Sequence, residues 1–391
     1  MTTAGTLRAT RSVGRLRTLG AFQEILPLPN LEDRAAWVKS TPGDPEVLEV
    51  PRGADTSYLT HALFRYVGKL PPPLVAYLLA RYSKPGDLII DPMCGGGTTA
   101  IEAVSSGRRS MNCDINPIAL LLTEALSAPA DIDSMLEFAA TVATSARPVL
   151  PPGDLAKFFS ADTYGLIVMG LDAATTPANK ALIYSIVRRA SFADTKKINT
   201  VVDPTKIPKP ARALLSEWTH RFVTAFGELG SLNLAGSVTT RAKADEIPVL
   251  DGEADLVFLH PPYLTNTAFS EVTHLQLTLM GLNPVDVRKN ELAYRGSYFH
   301  VPNGLQKYLL GWTAILRTAA RVTKAGGHVV TVIGDGSIEG VRIPVAAITE
   351  EFAADAGLTL VQRATHVLNN QTGWTLSRKM LAQHVRVFQK V

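Results

Sequence analysis

The chain has 391 residues, 46% hydrophobic and 19% charged, with a formal net charge of +4 and a pI near 9.0. This is a globular composition, and no apolar run is long enough to cross a bilayer. The start, "MTTAGTLRATRSVGRLRTLG", lacks the apolar stretch of a secretory signal, and two cysteines, Cys94 and Cys113, are too few for a zinc framework. A cytoplasmic protein with no metal and no membrane association is expected, either one large α/β domain with an insertion or two domains.

Residues 1–54 show no sustained period. Arg8, Arg11, Arg15 and Arg17 make the beginning a basic arm, and Pro27, Pro29, Pro42, Pro45 and Pro51 break the rest into turns and short irregular pieces. From residue 55 the chain gives a loop closed by Pro71 to Pro73, then a helix with Leu74, Val75, Leu78 and Leu79 at helical spacing. "LIID" follows as a strand buried on both faces, then the glycine loop "PMCGGG", a helix opening at Thr98 and Thr99, and a second strand "RSMNCD" ending at Asp114.

Residues 131–236 read as helices between proline-rich breaks, a mainly helical insertion separating 55–130 from 237–391. Strand-like runs resume at "SVTTRAKAD" and "ADLVFL", and later at "GGHVVTVIGDG". "LTLVQRATHVL" and "HVRVFQKV" are expected as an antiparallel pair at a sheet edge.

Glycines at the carboxyl end of a parallel strand let a ligand approach the backbone, and the exposed helix amides beyond them favour polar or anionic groups. The spacing of "DPMCGGGTT" is neither that of a dinucleotide loop nor that of a nucleoside-triphosphate loop. Asp114, closing the next strand, is placed to accept hydrogen bonds from ribose hydroxyls, so the ligand should contain a nucleoside.

"DPMCGGGTTAIEA" together with "HPPY" resembles the class I methyltransferases that act on amino groups of nucleic-acid bases, in which DPxxGxGTT and xPPY occur together. The resemblance implies a Rossmann-like α/β fold, a mostly parallel seven-stranded sheet with an antiparallel edge strand. Its cofactor would be S-adenosyl-L-methionine (AdoMet). Asp91, Gly95 and Gly97 would surround the methionine part, Asp114 the ribose and Asp245 the adenine, with Cys94 and Thr98 of the same loop as further cofactor contacts. "HALFRYVGKLPPPLV" resembles the segment that walls this site.

Methyl transfer to an exocyclic amine is an in-line displacement, so the protein has mainly to position the amine. In His260-Pro261-Pro262-Tyr263 the prolines fix a turn whose carbonyl can accept an N–H, the preceding polar side chain can accept another, and Tyr263 can stack on the base. His260 stands where the family usually has Asp, Asn or Ser. Neutral imidazole can accept a hydrogen bond, whereas imidazolium cannot and would repel the sulfonium. His260 is therefore expected to work neutral, with a rate that falls as pH drops through its pKa. Phe269 would be the aromatic after the motif, with Asn266 and Thr267 as polar lining.

The expected partner is double-stranded DNA with its target base flipped out, cytosine at N4 or adenine at N6. A restriction-modification setting is expected, the cognate endonuclease encoded nearby without stable contact. Between Lys180 and Arg212, eight basic side chains stand against two acidic ones, and Arg188, Arg189, Lys196 and Lys197 are the candidate phosphate contacts. "DPMCGGGT" also resembles RNA guanine-N2 methyltransferases, and a methyltransferase-like binder without catalysis is a further alternative. Asp335 could line the pocket or close a turn, and Trp374 and Arg378 sit at an expected hairpin tip. His61 and His274 are expected as packing residues.

Overall fold

The computed structural model describes residues 29–264, 268–292, 303–368 and 382–391. The N-terminal arginines, Asn266, Thr267, Trp374 and Arg378 lie outside the described residues.

Nine strands form one sheet. Its centre is β3 (Leu88–Asp91), flanked by β4 (Arg109–Asp114) and β6 (Ala254–Leu259), with β5 (Ser237–Arg241) outside β4 and β7 (Thr323–Ile333) outside β6, all five parallel. β11 (Ala382–Lys390) runs antiparallel to β7 on one side and to β10 (Leu358–Val367) on the other. From β5 to β10 this is the seven-stranded, mostly parallel sheet of the class I methyltransferase fold.

Two details differ from expectation. Residues 38–50 are not irregular: β1 (Lys39–Thr41) and β2 (Glu46–Glu49) form a hairpin, and β2 pairs parallel with β10. Strands of three and four residues are too short to show a period between prolines. The hairpin therefore covers the outer side of β10, and the antiparallel β11 lies inside the sheet, paired with β10 on one side and β7 on the other.

Side chains alternate between the two faces as strand geometry requires. Ile89, Leu256 and Phe258 face α2 (Pro72–Tyr82), where Leu74, Val75, Leu78 and Leu79 are buried. Ile90, Val257 and Leu259 face the opposite way, toward Trp312, Ile315 and Leu316 of α12 (Gly304–Val322). The insertion contains α5 (Ile132–Ser145), α6 (Ala161–Ala173), α7 (Pro177–Ala190) and α8 (Ala211–Gly230), packed with α4 (Pro117–Leu126) around a separate apolar cluster. No helix among the described residues is long and apolar enough to cross a membrane.

Candidate active site

The carboxyl ends of five parallel strands open on one cavity of about 1140 Å³. β3 ends at Asp91, β4 at Asp114 and β6 just before His260, while Asp245 follows β5 and Asp335 follows β7. All five side chains line the cavity, as do Cys94, Gly95, Thr98, Pro261, Pro262, Tyr263 and Phe269. The volume exceeds the ~300–1,000 Å³ of ordinary ligand pockets, which leaves room for a second group beside a cofactor.

The glycine loop is shaped by what packs against it. Gly97 caps α3 (Thr98–Val104) at φ 76°, a left-handed conformation, and a Cβ there would lie 3.0 Å from the Thr123 backbone. At Gly96 a Cβ would sit 2.8 Å from Cβ of Tyr66 and 3.1 Å from Cδ of Lys69. Gly96→Ala is therefore expected to push the Tyr66–Lys69 wall away and weaken AdoMet binding at least about tenfold, the order of a strained contact of 1–3 kcal/mol; unchanged calorimetric affinity would contradict this.

Two carboxylates stand on either side of that loop. Asp91 Oδ1 accepts the Met93 N–H at 3.1 Å, and Asp114 accepts Asn116 N–H at 2.8 Å and Gly95 N–H at 3.0 Å. Burial pushes Asp91 up to about 7 and Asp114 up to about 6. Cys94 is buried, its Sγ 3.2 Å from the Thr123 hydroxyl, and burial raises its thiol well above the ordinary range. Tyr66, which sequence reading passed over, stacks on Phe269 with ring centroids 6.0 Å apart. Glu291 holds Phe269 in place by accepting the backbone N–H groups of Phe269 and Ser270 at 3.0 and 2.7 Å.

Beyond the end of β6, His260 Nε2 lies 3.0 Å from the Tyr263 hydroxyl, the rings edge to face. Burial, followed by the neighbouring His366, pulls His260 down to about 4. The imidazole is thus neutral throughout the physiological range, and the expected fall in rate moves below the ordinary histidine window. Tyr308 donates to the Pro262 carbonyl at 3.3 Å, whereas the Pro261 carbonyl has no donor among the described residues.

The basic insertion is not the free phosphate surface expected. Arg188 is a staple: its guanidinium donates to the carbonyls of Asp194, Lys197, Ile198 and Asn199 at 2.7–3.1 Å. Arg189 lies over the Trp218 ring at 4.5 Å, with Arg221 also over that ring at 4.4 Å. Lys206 is spent on the carbonyls of Arg188, Ser191 and Ala193. Lys196 and Lys197 remain exposed on the loop that Arg188 holds. Asp335 lines the cavity and pairs with Arg342 at 2.6 Å. His61 packs inside, 2.8 Å from Glu102.

Residues 29–125 match the family model described as DNA methylase. A 75-residue stretch is 39% identical to the type II methyltransferase M.MjaII of Methanocaldococcus jannaschii, covering 19% of this chain and 14% of that protein's length. Among solved structures, TrmN from Thermus thermophilus aligns at a TM-score of 0.34 and 15% identity, over 82% of this chain and 49% of its own. A SAM-dependent methyltransferase from Methanosarcina mazei aligns at 0.34 and 13%, over 80% of this chain and 97% of its own.

The residues present fit AdoMet, the cofactor expected from the sequence. The glycines let the loop pack against Tyr66, Lys69 and Thr123, where a Cβ would collide, and two carboxylates lining the cavity, Asp91 and Asp114, offer anionic partners to a cationic ligand. The ligand's positive charge favours the ionised carboxylates, so binding releases protons. Affinity is full above the raised pKa of Asp91 and falls as pH drops through about 7 and then 6. The dissociation constant is expected to rise at least about tenfold between pH 8 and 5.5, one linked pKa unit being a factor of ten. A constant affinity over that range by calorimetry would remove the assignment of these two groups.

Proposed function

We propose that the protein is an AdoMet-dependent DNA methyltransferase that transfers a methyl group to an exocyclic amine, N4 of cytosine or N6 of adenine, as the modification enzyme of a restriction-modification system. The observation that carries this reading is that His260-Pro261-Pro262-Tyr263 and the glycine loop with Asp91 and Asp114 line one cavity. A base flipped from a duplex reaches such a cavity edge-on, amine first.

The bound cofactor supplies an electrophilic methyl group. Asp91 and the loop amides hold its methionine end, and Asp114 its ribose. The Pro261 carbonyl accepts one amine N–H, which turns the nitrogen lone pair toward the methyl carbon. With AdoMet bound, the amine nitrogen would take up that methyl group, and its surplus proton would leave to solvent. Neutral His260 adds no positive charge beside the sulfonium. Tyr263 packs on the base, and Phe269, held by Glu291, closes the side nearest the loop. Lys196 and Lys197 are the insertion's exposed candidates for backbone phosphates.

Incubation with methyl-labelled AdoMet and either duplex DNA or total RNA tests the polymer. Acid-precipitable label in DNA is the expected result. Label confined to RNA would replace this reading with a guanine-N2 or related RNA activity, and cofactor binding without transfer to either would replace it with a non-catalytic binder.

A further inference from the structure

Four polar side chains form a continuous chain of hydrogen bonds behind the amine-binding turn. His366 Nδ1 is 3.1 Å from Gln383 Oε1, Gln383 Nε2 donates to the Tyr263 hydroxyl at 2.7 Å, and that hydroxyl is 3.0 Å from His260 Nε2. His366 and Gln383 are cross-strand partners in β10 and β11, and both are buried, as is Tyr263. Neither is part of the sequence motif.

The chain has a direction. An amide NH₂ can only donate, so the Tyr263 oxygen accepts from Gln383 and its single proton must find another acceptor. His260 Nε2 is that acceptor. If Nε2 instead carried the imidazole proton, the phenol would receive two donors and its own buried proton would have no acceptor among the described residues, which is costly. A neutral imidazole that accepts at Nε2 carries its proton on Nδ1. That nitrogen makes no hydrogen bond among the described residues, and His260 lines the cavity.

We propose that His260 donates Nδ1–H to a ring nitrogen of the target base beside the exocyclic amine, and that Gln383 is the positioning residue that fixes this direction through Tyr263. The inference rests on the methyltransferase reading above and narrows its substrate. Cytosine and adenine each carry an acceptor ring nitrogen next to the amino-bearing carbon, N3 and N1 respectively. On the same Watson–Crick edge guanine carries N1–H, which would oppose a donor. The histidine therefore takes a different part from the acid or amide usual at this position: the Pro261 carbonyl receives the amine, and His260 reads the atom beside it. Sequence reading had made the imidazole an acceptor; the Tyr263 hydroxyl now occupies the acceptor nitrogen.

The test is ¹⁵N–¹H multiple-bond NMR on the full chain labelled at histidine, the His260 signals assigned by their loss in His260→Gln. The wild type is expected to show the proton on Nδ1. In Gln383→Glu the side chain can only accept, so the Tyr263 hydroxyl turns toward it and the His260 proton moves to Nε2. In Gln383→Leu the direction is no longer fixed and both tautomers are expected. Turnover on DNA in Gln383→Glu should fall about tenfold, the scale of one hydrogen bond, with AdoMet affinity unchanged. A wild-type proton on Nε2, or a proton position indifferent to Gln383→Glu, overturns the proposal even if DNA is methylated. Labelled methyl on guanine overturns its base-reading half. An Nδ1 proton with no transfer to any DNA sinks the methyltransferase reading instead.

Discussion

Replacing Asp91 by alanine is expected to abolish AdoMet binding within the range of calorimetry while the protein still folds. Asp91 closes the central strand of the sheet, is 4% exposed and lines the cavity beside the glycine loop. Its carboxylate already bears the cost of burial, seen in its rise to about 7, and a cationic ligand is the partner that would offset it. Losing one charge-assisted contact weakens binding by about 10²-fold. Circular dichroism separates this from unfolding. Native-like spectra with lost affinity are predicted, and native-like spectra with undiminished affinity would place the cofactor elsewhere in the cavity.

Tyr263→Ala is expected to do the reverse, sparing AdoMet affinity and removing transfer. Tyr263 lies in the turn after β6, beside the strand that Asp91 closes, where the Pro261 carbonyl is presented, and its hydroxyl joins Gln383 to His260. Truncation removes the surface against which the base rests and unties both polar neighbours at once. Misplacing a reacting group by about 1 Å costs on the order of 10²-fold in rate, and here the base and the turn would both be loosened. Single-turnover methylation with preloaded AdoMet measures it. Lost cofactor binding in this variant would mean that Tyr263 belongs to the cofactor's part of the cavity and not to the base's.

Some of this architecture is written locally in the sequence and some is not. "LIID" reads as a buried strand because Leu88, Ile89 and Ile90 are apolar in succession, and the glycines, Asp114 and the paired prolines are constrained by backbone geometry within a few residues. The role of Gln383 has no such local signature. It meets Tyr263 across 120 residues, through the antiparallel pairing of β11. Arg188 misleads for a related reason: a basic side chain on a helix end reads as a phosphate contact, yet here it binds the carbonyls of its own following loop. Charge counts do not distinguish a cation facing solvent from one facing backbone oxygen. The β1–β2 hairpin was hidden by its shortness, since pairing with β10, not its own propensity, makes it a pair of strands.

The two halves of the cavity have a common purpose only if a methyl group passes between them to a base amine. Digestion of duplex DNA treated with the protein and methyl-labelled AdoMet, followed by mass spectrometry of the nucleosides, tests this directly. The account predicts label in N4-methylcytosine or N6-methyladenine; label in another nucleoside, or DNA that stays unlabelled while AdoMet is bound, would contradict it.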